Sequence, residues 1–118
     1  MCGFAGFIDN LSIDRKNIII KRMSDTIAHR GPDGEGFYTD DTIAMGFRRL
    51  SIIDLSMGDQ PLYNEDRSLV INFNGEIYNY KELREELIAK GHVFATHADT
   101  EVIIHGFEEY GENIVDHL

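Results

Sequence analysis

In the first half of the chain, the pattern of apolar and polar positions predicts several short extended segments and one helix. The apolar segment Gly3 to Asp9 indicates a buried first strand. From Asp14 to Ala28 the pattern predicts a helix whose buried side carries Ile19, Ile20, Met23 and Ile27. A turn-rich loop is expected at 30–36, followed by two short strands at 36–39 and 43–47.

The second half begins with an apolar strand candidate, Leu69 to Phe73. It leads into Asn74-Gly75, a dipeptide that predicts a hairpin when it separates two apolar runs. Asn79, with Glu82 three residues later, predicts a helix N-terminus with a capping box. Gly91 is expected to end that helix.

A brief strand at 93–96 and a last helix from Asp99 or Thr100 complete the pattern. This helix is expected to end at Gly111 and to bury Val102, Ile103, Phe107 and Tyr110. Strands and helices therefore mix without strict alternation. Such an order favours an α+β fold with an antiparallel sheet over a doubly wound fold.

Composition narrows the classes of function. The 118 residues suit one domain, and 42% apolar with 27% charged residues is typical of a soluble globular protein. A net charge of −10 would repel nucleic acid. The longest aliphatic runs are too short to span a bilayer, and a secretory signal pattern is absent, so we expect a cytoplasmic protein without a membrane partner. The single cysteine excludes an internal disulfide and a cysteine-based metal cluster.

That cysteine, Cys2, is the first candidate for chemistry. A lone cysteine is usually a small buried apolar residue. At position 2, however, removal of Met1 would leave the thiol beside a free α-amino group. Because such an amine has a pKa of roughly 7.7–8.0, part of it is neutral near pH 7 and could accept the thiol proton. Nucleophile and base would then belong to one residue, as in N-terminal threonine enzymes.

Five motifs place the chain beside a known family. MCGFAGF stands at the N-terminus, followed by HRGPDG at 29–34, RRLSIID at 48–54, NGEIYN at 74–79 and ADTEV at 98–102. Together they resemble the class II (N-terminal nucleophile) glutamine amidotransferases over essentially the whole chain. HRGPD, RLSIID with a following GDQPL, and NGEIYN are most similar to the glutamine-hydrolysing asparagine synthetases of the B type.

The resemblance implies a catalytic role for three residues. Cys2 would attack the side-chain amide of glutamine, giving a γ-glutamyl thioester and ammonia. Asn74 and the backbone N–H of Gly75 would form the oxyanion hole, since a tetrahedral intermediate needs fixed donors aimed at its negative charge. Without the family, Asn74-Gly75 is simply a turn, and the two interpretations are compatible.

Three further residues would bind the glutamine zwitterion. The resemblance implies that Arg49 pairs with the α-carboxylate, for which its planar fork is suited. Glu76 and Asp99 would receive the α-ammonium group. Taken alone, Arg49 is a solvated surface arginine and Asp99 a helix N-cap. The neighbouring Arg48 is assigned no catalytic role, and a purely structural role is expected for Arg30 and Asp33.

The family's fold is an N-terminal nucleophile (Ntn) hydrolase sandwich of four α/β/β/α layers with antiparallel sheets. Residues 1–118 would form the N-terminal portion of the glutaminase domain, so this sandwich would be incomplete here. We expect the rest of the domain, and a C-terminal synthetase domain, to lie beyond Leu118. The implied partners are glutamine and that synthetase domain, which would use ATP and Mg²⁺ to make asparagine from aspartate. The glutaminase step needs no cofactor, and homo-oligomer formation stays open.

The remaining glycine and histidine patterns do not indicate a functional site. Gly31, Gly34 and Gly36 suggest a phosphate loop only superficially, because no helix is expected to follow them. The spacing of His92, His97 and His105 matches no recognised ligand pattern, so these are expected to be surface or core histidines and no metal site is predicted. Two alternatives remain: the glutaminase part of an amidotransferase with a sugar-phosphate or phosphoribosyl acceptor, and an inactive scaffold fragment.

Overall fold

A computed structural model describes residues 1–51 and 59–118, which divide into two compact units. Unit 1 comprises Met1–Pro61 and Asn72–Asn74, and unit 2 comprises Leu62–Ile71 and Gly75–Leu118. Each unit contains an antiparallel sheet and at least one α-helix, which confirms the α+β class. The end of the RRLSIID motif, including Asp54, lies outside the described residues.

The sheet of unit 1 has three antiparallel strands in the order β1-β3-β2. Its strands are β1 (Gly3–Ile8), β2 (Gly34–Thr39) and β3 (Ile43–Arg49). The sequence predicted all three, but β2 and β3 are longer than expected. Their extra residues pair with each other, since Gly34 is opposite Arg49. β3 is the central strand and forms hydrogen bonds with both β1 and β2.

Helix α1 (Ile13–Thr26) packs against this sheet. It begins after Ser12, whose side chain accepts a hydrogen bond from the backbone N–H of Arg15. Its buried stripe holds Ile20, as predicted, but also Lys16 and Ser24 at the i−4 and i+4 positions. Lys16 is tolerated in the interior because its ammonium group donates to the carbonyl of Asp40 at 2.8 Å.

The prediction of a buried first strand is wrong for one face of β1. Phe4 and Ile8 are 55% and 75% exposed. They lie on the face of the sheet opposite α1, because an ideal Cβ at Gly46 on the other face would lie 3.3 Å from Ile20. One face of the sheet thus packs on α1, and the other carries exposed apolar side chains.

The turn between β2 and β3 is closed by the carboxylate of Asp40. It accepts the backbone N–H groups of Ile43 and Thr42, each at 2.8 Å, and the hydroxyl of Tyr38 at 2.8 Å. These bonds hold the pKa of Asp40 below its usual value of 3.8. The ionised carboxylate therefore stabilises the hairpin.

Replacement of Asp40 by alanine is expected to lower the midpoint of thermal unfolding by a few degrees near neutral pH, because three donors lose their acceptor. A pKa lowered by folding gives stability that is present above the unfolded-state pKa and lost as pH falls through the folded-state value. The difference from wild type should therefore shrink on acidification below about pH 4. Thermal unfolding followed by circular dichroism measures it, with the exposed neighbour Asp41→Ala as control; an equal loss in both variants would contradict the prediction.

Unit 2 begins with a small hairpin of β4 (Leu62–Tyr63) and β5 (Val70–Ile71). The predicted strand at 69–73 is thus shortened, and its partner β4 was not predicted. The prediction of a hairpin at Asn74-Gly75 is wrong, because no strand follows this dipeptide in the described chain. The backbone N–H of Ile77 instead donates to the carboxylate of Asp99 at 2.9 Å, so it is unavailable for a strand ladder.

Helices α2 (Tyr80–Ala89) and α3 (Glu101–Tyr110) pack together, and a 3-10 helix, Gly111–Asp116, packs on α3. Their shared core consists of Ile77, Leu83, Leu87, Val102, Ile104 and Ile114. Gly91 and Gly111 follow the helices with positive φ angles of 99° and 60°, as the predicted ends require. Within the described ranges, no helix is both long and apolar enough to cross a membrane.

Two details of these helices differ from prediction. Asn79 is the N-cap residue of α2, but its side chain makes no capping bond and donates instead to the carbonyl of His117 at 2.7 Å. The capping box is therefore wrong, although the helix start is correct. Phe107 is 42% exposed rather than buried as predicted. His105, on the same helix, is buried instead, with 1% exposed.

The predicted strand at 93–96 is also wrong, and Glu101 gives the reason. Its carboxylate is 3% exposed and accepts the backbone N–H groups of Ala95 and Thr96 at 2.7 Å, together with the Thr96 hydroxyl at 2.5 Å. Burial would raise the pKa of Glu101, but these bonds and one from His105 outweigh it and lower the pKa. The buried Glu101 carboxylate thus accepts the backbone N–H groups that a neighbouring strand would otherwise bind.

Candidate active site

The thiol of Cys2 is half-buried and held by the backbone that follows β3. Its sulfur accepts the N–H of Leu50 at 3.3 Å and lies 3.7 Å from the carbonyl oxygen of the same residue, to which it donates. Both contacts come from the main chain, so the side chain of Leu50 gave no signal in the sequence. The sulfur is therefore fixed at the end of the sheet.

The main chain of Cys2 is anchored by two side chains. Its carbonyl oxygen accepts hydrogen bonds from Nδ2 of Asn74 at 3.1 Å and from Nε of Arg30 at 3.3 Å. Cys2 and Asn74, 72 positions apart in sequence, are thus brought together. Since an amide NH₂ group carries two hydrogens, Asn74 retains a second donor after binding this carbonyl.

Gln60 orders the segment that precedes Asn74 and was not predicted as a site residue. Its side-chain amide forms a pair of hydrogen bonds with the backbone of Phe73, donating to the carbonyl at 2.9 Å and accepting the N–H at 2.5 Å. Asn72 adds a bond to the carbonyl of Gly46 at 3.4 Å. These contacts tie residues 72–74 to unit 1 and so fix the position of Asn74.

The loop that carries Arg30 runs closely along the end of β3. A Cβ at Gly31 would lie 2.3 Å from the carbonyl carbon of Arg48, so only glycine permits this approach. Asp33 donates its N–H to the carbonyl of Arg49 at 2.9 Å, and its carboxylate accepts the N–H of Ser51 at 2.8 Å. Arg30 and Asp33 therefore contact backbone, in agreement with the structural role expected of them.

Arg48 and Arg49 lie on opposite faces of β3, because successive side chains on a strand alternate. On the α1 face, Arg48 binds Glu35 at 2.8 Å and lies 3.8 Å from Asp25. Arg49 projects to the other face, where its guanidinium contacts Asp59 at 3.0 Å. The Arg49 side chain is 13% exposed, so it is not the solvated surface arginine of the simpler interpretation, whereas Asp59 is 91% exposed.

The remaining three predicted residues belong to unit 2. Gly75 and Glu76 are exposed, and their roles stay predictions. The carboxylate of Asp99 holds the N–H of Ile77, as described above. Interpretation of Asp99 as the N-cap of α3 is wrong, since Thr100 is the N-cap residue and forms no side-chain capping bond.

The glycine-rich loop at 31–36 does not fit a phosphate. Gly34 begins strand β2 rather than a helix, so the loop lacks the helix N-terminus that such sites use. The carboxylate of Glu35 is held by Lys21 at 3.0 Å and by Arg48 at 2.8 Å. The charge of Glu35 therefore serves ion pairs within unit 1.

Comparison with known proteins matches residues 1–118 to the family described as "Glutamine amidotransferase domain". The chain is 48% and 49% identical to asparagine synthetases [glutamine-hydrolyzing] 1 and 2 of Bacillus subtilis (strain 168), and 46% identical to asparagine synthetase [glutamine-hydrolyzing] 3 of Arabidopsis thaliana. All of this chain is covered in each case, but only 19%, 16% and 20% of the three relatives. With its whole length matched by the family, the chain belongs to the glutamine amidotransferase domain family.

Proposed function

We propose that the chain is the N-terminal portion of a glutaminase domain, which hydrolyses glutamine to glutamate and ammonia with Cys2 as nucleophile. One observation carries this proposal: the thiol of residue 2 is fixed by Leu50 while the carbonyl of Cys2 is bound by the amide of Asn74. A nucleophile and a donor for its oxyanion are thereby held together. Family membership supports the same chemistry.

The proposed reaction begins after removal of Met1, when the free amine of Cys2 accepts the thiol proton. The sulfur attacks the side-chain carbonyl carbon of glutamine, and the negative charge on oxygen is stabilised by the second N–H of Asn74 and the backbone N–H of Gly75. Transfer of the proton to the leaving nitrogen releases ammonia and forms the thioester. Water, deprotonated by the same amine, then hydrolyses the thioester to glutamate and regenerates the thiol.

Arg49, Glu76 and Asp99 are proposed to bind the glutamine zwitterion. Arg49 supports this role because its nearly buried guanidinium is paired with a carboxylate that is itself 91% exposed. The α-carboxylate of glutamine carries the same charge as Asp59 and would take its place at the guanidinium. Glu76 and Asp99 supply the negative charge for the α-ammonium group.

The complete domain is proposed to be the four-layer Ntn sandwich, of which residues 1–118 supply the N-terminal portion. The exposed Phe4 and Ile8 support a second sheet, because they lie on the face of the unit 1 sheet opposite α1. A sandwich would cover that face with apolar side chains. Burial of what remains exposed of these two side chains would stabilise the domain by roughly 2–4 kcal/mol.

The ammonia is proposed to serve ATP-dependent synthesis of asparagine from aspartate, in a C-terminal domain that binds ATP and Mg²⁺. The names of the relatives support this acceptor over a sugar phosphate or a phosphoribosyl compound. Because the chain spans 16–20% of these relatives, this part of the reaction belongs to further sequence. A cytoplasmic location fits the same assignment.

Arg49→Lys tests the substrate site in an assay of ammonia release. It is expected to raise KM for glutamine by roughly 10–100-fold and to change kcat less, since lysine keeps the charge but loses the planar fork. Arg48→Lys provides the control, because Arg48 points to the α1 face and binds Glu35. Its KM should match that of wild type.

The assay is run on the 118-residue chain and on any longer protein that contains it. Equal release of glutamate and ammonia in either one supports the proposed function. Absence of ammonia release from both, with folding verified by circular dichroism, contradicts it and favours an inactive scaffold. An equal rise in KM for the Arg48 and Arg49 variants would contradict the assignment of Arg49 alone.

A further inference from the structure

Three side chains of unit 2 converge outside the glutaminase residues. His105 and Glu108 come from α3, and His92 comes from the segment that follows α2. One ligand-type atom from each lies within 4.8 Å of the corresponding atoms of the other two. The sequence predicted no metal site, because the 12 residues between the two histidines match no ligand motif. Packing of this segment against α3 brings them together.

Both imidazole rings are oriented by carboxylates. Nε2 of His105 lies 3.2 Å from Glu101, and Nε2 of His92 lies 2.8 Å from Glu109. Because an ionised carboxylate only accepts hydrogen bonds, both Nε2 atoms carry hydrogen, and in the neutral ring Nδ1 then keeps a lone pair that a metal ion can take. Histidines that bind metal ions are oriented in the same way, with the second ring nitrogen donating to a carboxylate.

The two Nδ1 atoms face Glu108. The distance from its carboxylate is 3.4 Å for His105 and 3.7 Å for His92. Glu65, in the turn between β4 and β5, places another carboxylate oxygen 3.5 Å from Nδ1 of His105. Two nitrogens and the Glu108 carboxylate thus lie close together, and Glu65 adds negative charge on the His105 side.

Nδ1 of His105 provides a second, independent observation. The side chain is 2% exposed, yet this atom has no hydrogen-bond partner. A buried polar atom left without a partner typically costs about 1–3 kcal/mol, so native structures rarely retain one without a ligand, an ion or a water. Its lone pair points toward Glu108 and Glu65, where a cation would accept it.

The spacing fits a small tetrahedral ion. Ligands about 2.0–2.1 Å from a tetrahedral zinc ion are about 3.3 Å apart. The distances from the Glu108 carboxylate to the two Nδ1 atoms, 3.4 and 3.7 Å, are close to that value, and one ligand-type atom from each residue lies within 4.8 Å of the other two. Two imidazoles favour Zn²⁺ over Mg²⁺ and Ca²⁺, which prefer oxygen ligands alone.

We propose that His92, His105 and Glu108 form a binding site for a divalent transition-metal ion of the zinc type. Both histidines bind it through Nδ1. The ion joins two segments of unit 2: the segment after α2, and α3. It has a structural role and takes no part in the glutaminase reaction.

The test is titration of the full chain with Zn²⁺ against a chromophoric chelator, near neutral pH. Wild type is expected to bind one ion, and His92→Asn and Glu108→Gln should each weaken binding by more than about 100-fold. Glu109→Gln, which only frees Nε2 of His92, should weaken it by roughly 10–100-fold. These three side chains lie near the surface, so the variants are expected to fold, which circular dichroism checks; the buried His105 is left unchanged.

His97→Asn and Glu112→Gln are the matched controls, since both residues are exposed and lie outside the cluster. Their affinity for Zn²⁺ should equal that of wild type. Nitrogen spectra of the ¹⁵N-labelled histidine rings should show the metal on Nδ1 and hydrogen on Nε2. Absence of Zn²⁺ binding by wild type, an equal loss in the controls, or metal on Nε2 would overturn the proposal, and leave the cluster as protonated histidines paired with carboxylates.

Discussion

Replacement of Cys2 by serine is expected to abolish hydrolysis of glutamine, with kcat reduced by roughly four orders of magnitude or more, as for the loss of other catalytic nucleophiles. Serine keeps the shape and the contacts to Leu50, but its hydroxyl is a far weaker nucleophile than a thiol near pH 7. Release of ammonia from glutamine measures the loss. Binding of glutamine should persist, because the residues proposed to bind it, Arg49, Glu76 and Asp99, are unchanged.

Covalent labelling gives this prediction a second readout. The chain contains one cysteine, so an electrophilic analogue of glutamine has a single thiol to alkylate. Intact mass should show loss of Met1 and one adduct on wild type, with no adduct on Cys2→Ser or Cys2→Ala. Retention of Met1 in an active protein would contradict the role of the amine, and labelling of Cys2→Ala would contradict that of the thiol.

A third variant separates the thiol from its amine. Addition of a residue between Met1 and Cys2, chosen so that it remains after methionine removal, leaves the cysteine but converts its nitrogen to an amide. An amide nitrogen accepts no proton near pH 7, so the proposed mechanism requires this variant to lose activity as well. Activity equal to wild type would show that another group serves as base.

Local sequence patterns correctly predicted those elements whose conformation is determined by residues close in sequence. α1 begins at Ile13, one residue before the predicted start. Gly91 and Gly111, which were predicted to end the two later helices, have positive φ angles, because helix ends are set by local requirements. The strands of unit 1 were likewise predicted, since short apolar runs are separated by turn residues. Only their exact ends depended on pairing across the sheet.

The patterns failed where a side chain from a following segment accepts the hydrogen bond of a backbone N–H group. The N–H of Ile77 is bound by Asp99, and the N–H groups of Ala95 and Thr96 are bound by Glu101. Neither segment forms the predicted strand, because its donors are already satisfied. A propensity scale contains no information about such tertiary acceptors.

The same limit applies to the site. The motifs selected Cys2 and Asn74, and the structure adds the hydrogen bond between them. Gln60 and Leu50 escaped prediction, because Gln60 acts through the backbone of Phe73 and Leu50 through its own backbone. Such roles leave no pattern in one sequence. The histidine cluster escaped for a related reason, since its geometry arises only when α3 packs on the segment before it.

Replacement of Asn74 by alanine is expected to reduce kcat for glutamine by roughly 10²–10³-fold and to change KM little, as for the removal of other oxyanion-hole donors. The oxyanion exists only in the transition state and the intermediate, so its donor affects the rate more than binding. Asn74→Asp should lose at least as much, because an ionised carboxylate donates no hydrogen bond and repels the developing charge. Steady-state ammonia release measures both variants.

Arg30→Ala distinguishes the two functions of Asn74. Both side chains donate to the carbonyl of Cys2, at 3.1 Å for Asn74 and 3.3 Å for Arg30, but only Asn74 is assigned a bond to the oxyanion. If Asn74 merely anchored Cys2, the two alanine variants would lose similar amounts of activity. An oxyanion donor instead requires a much larger loss for Asn74, and equal losses would reduce its role to positioning the nucleophile.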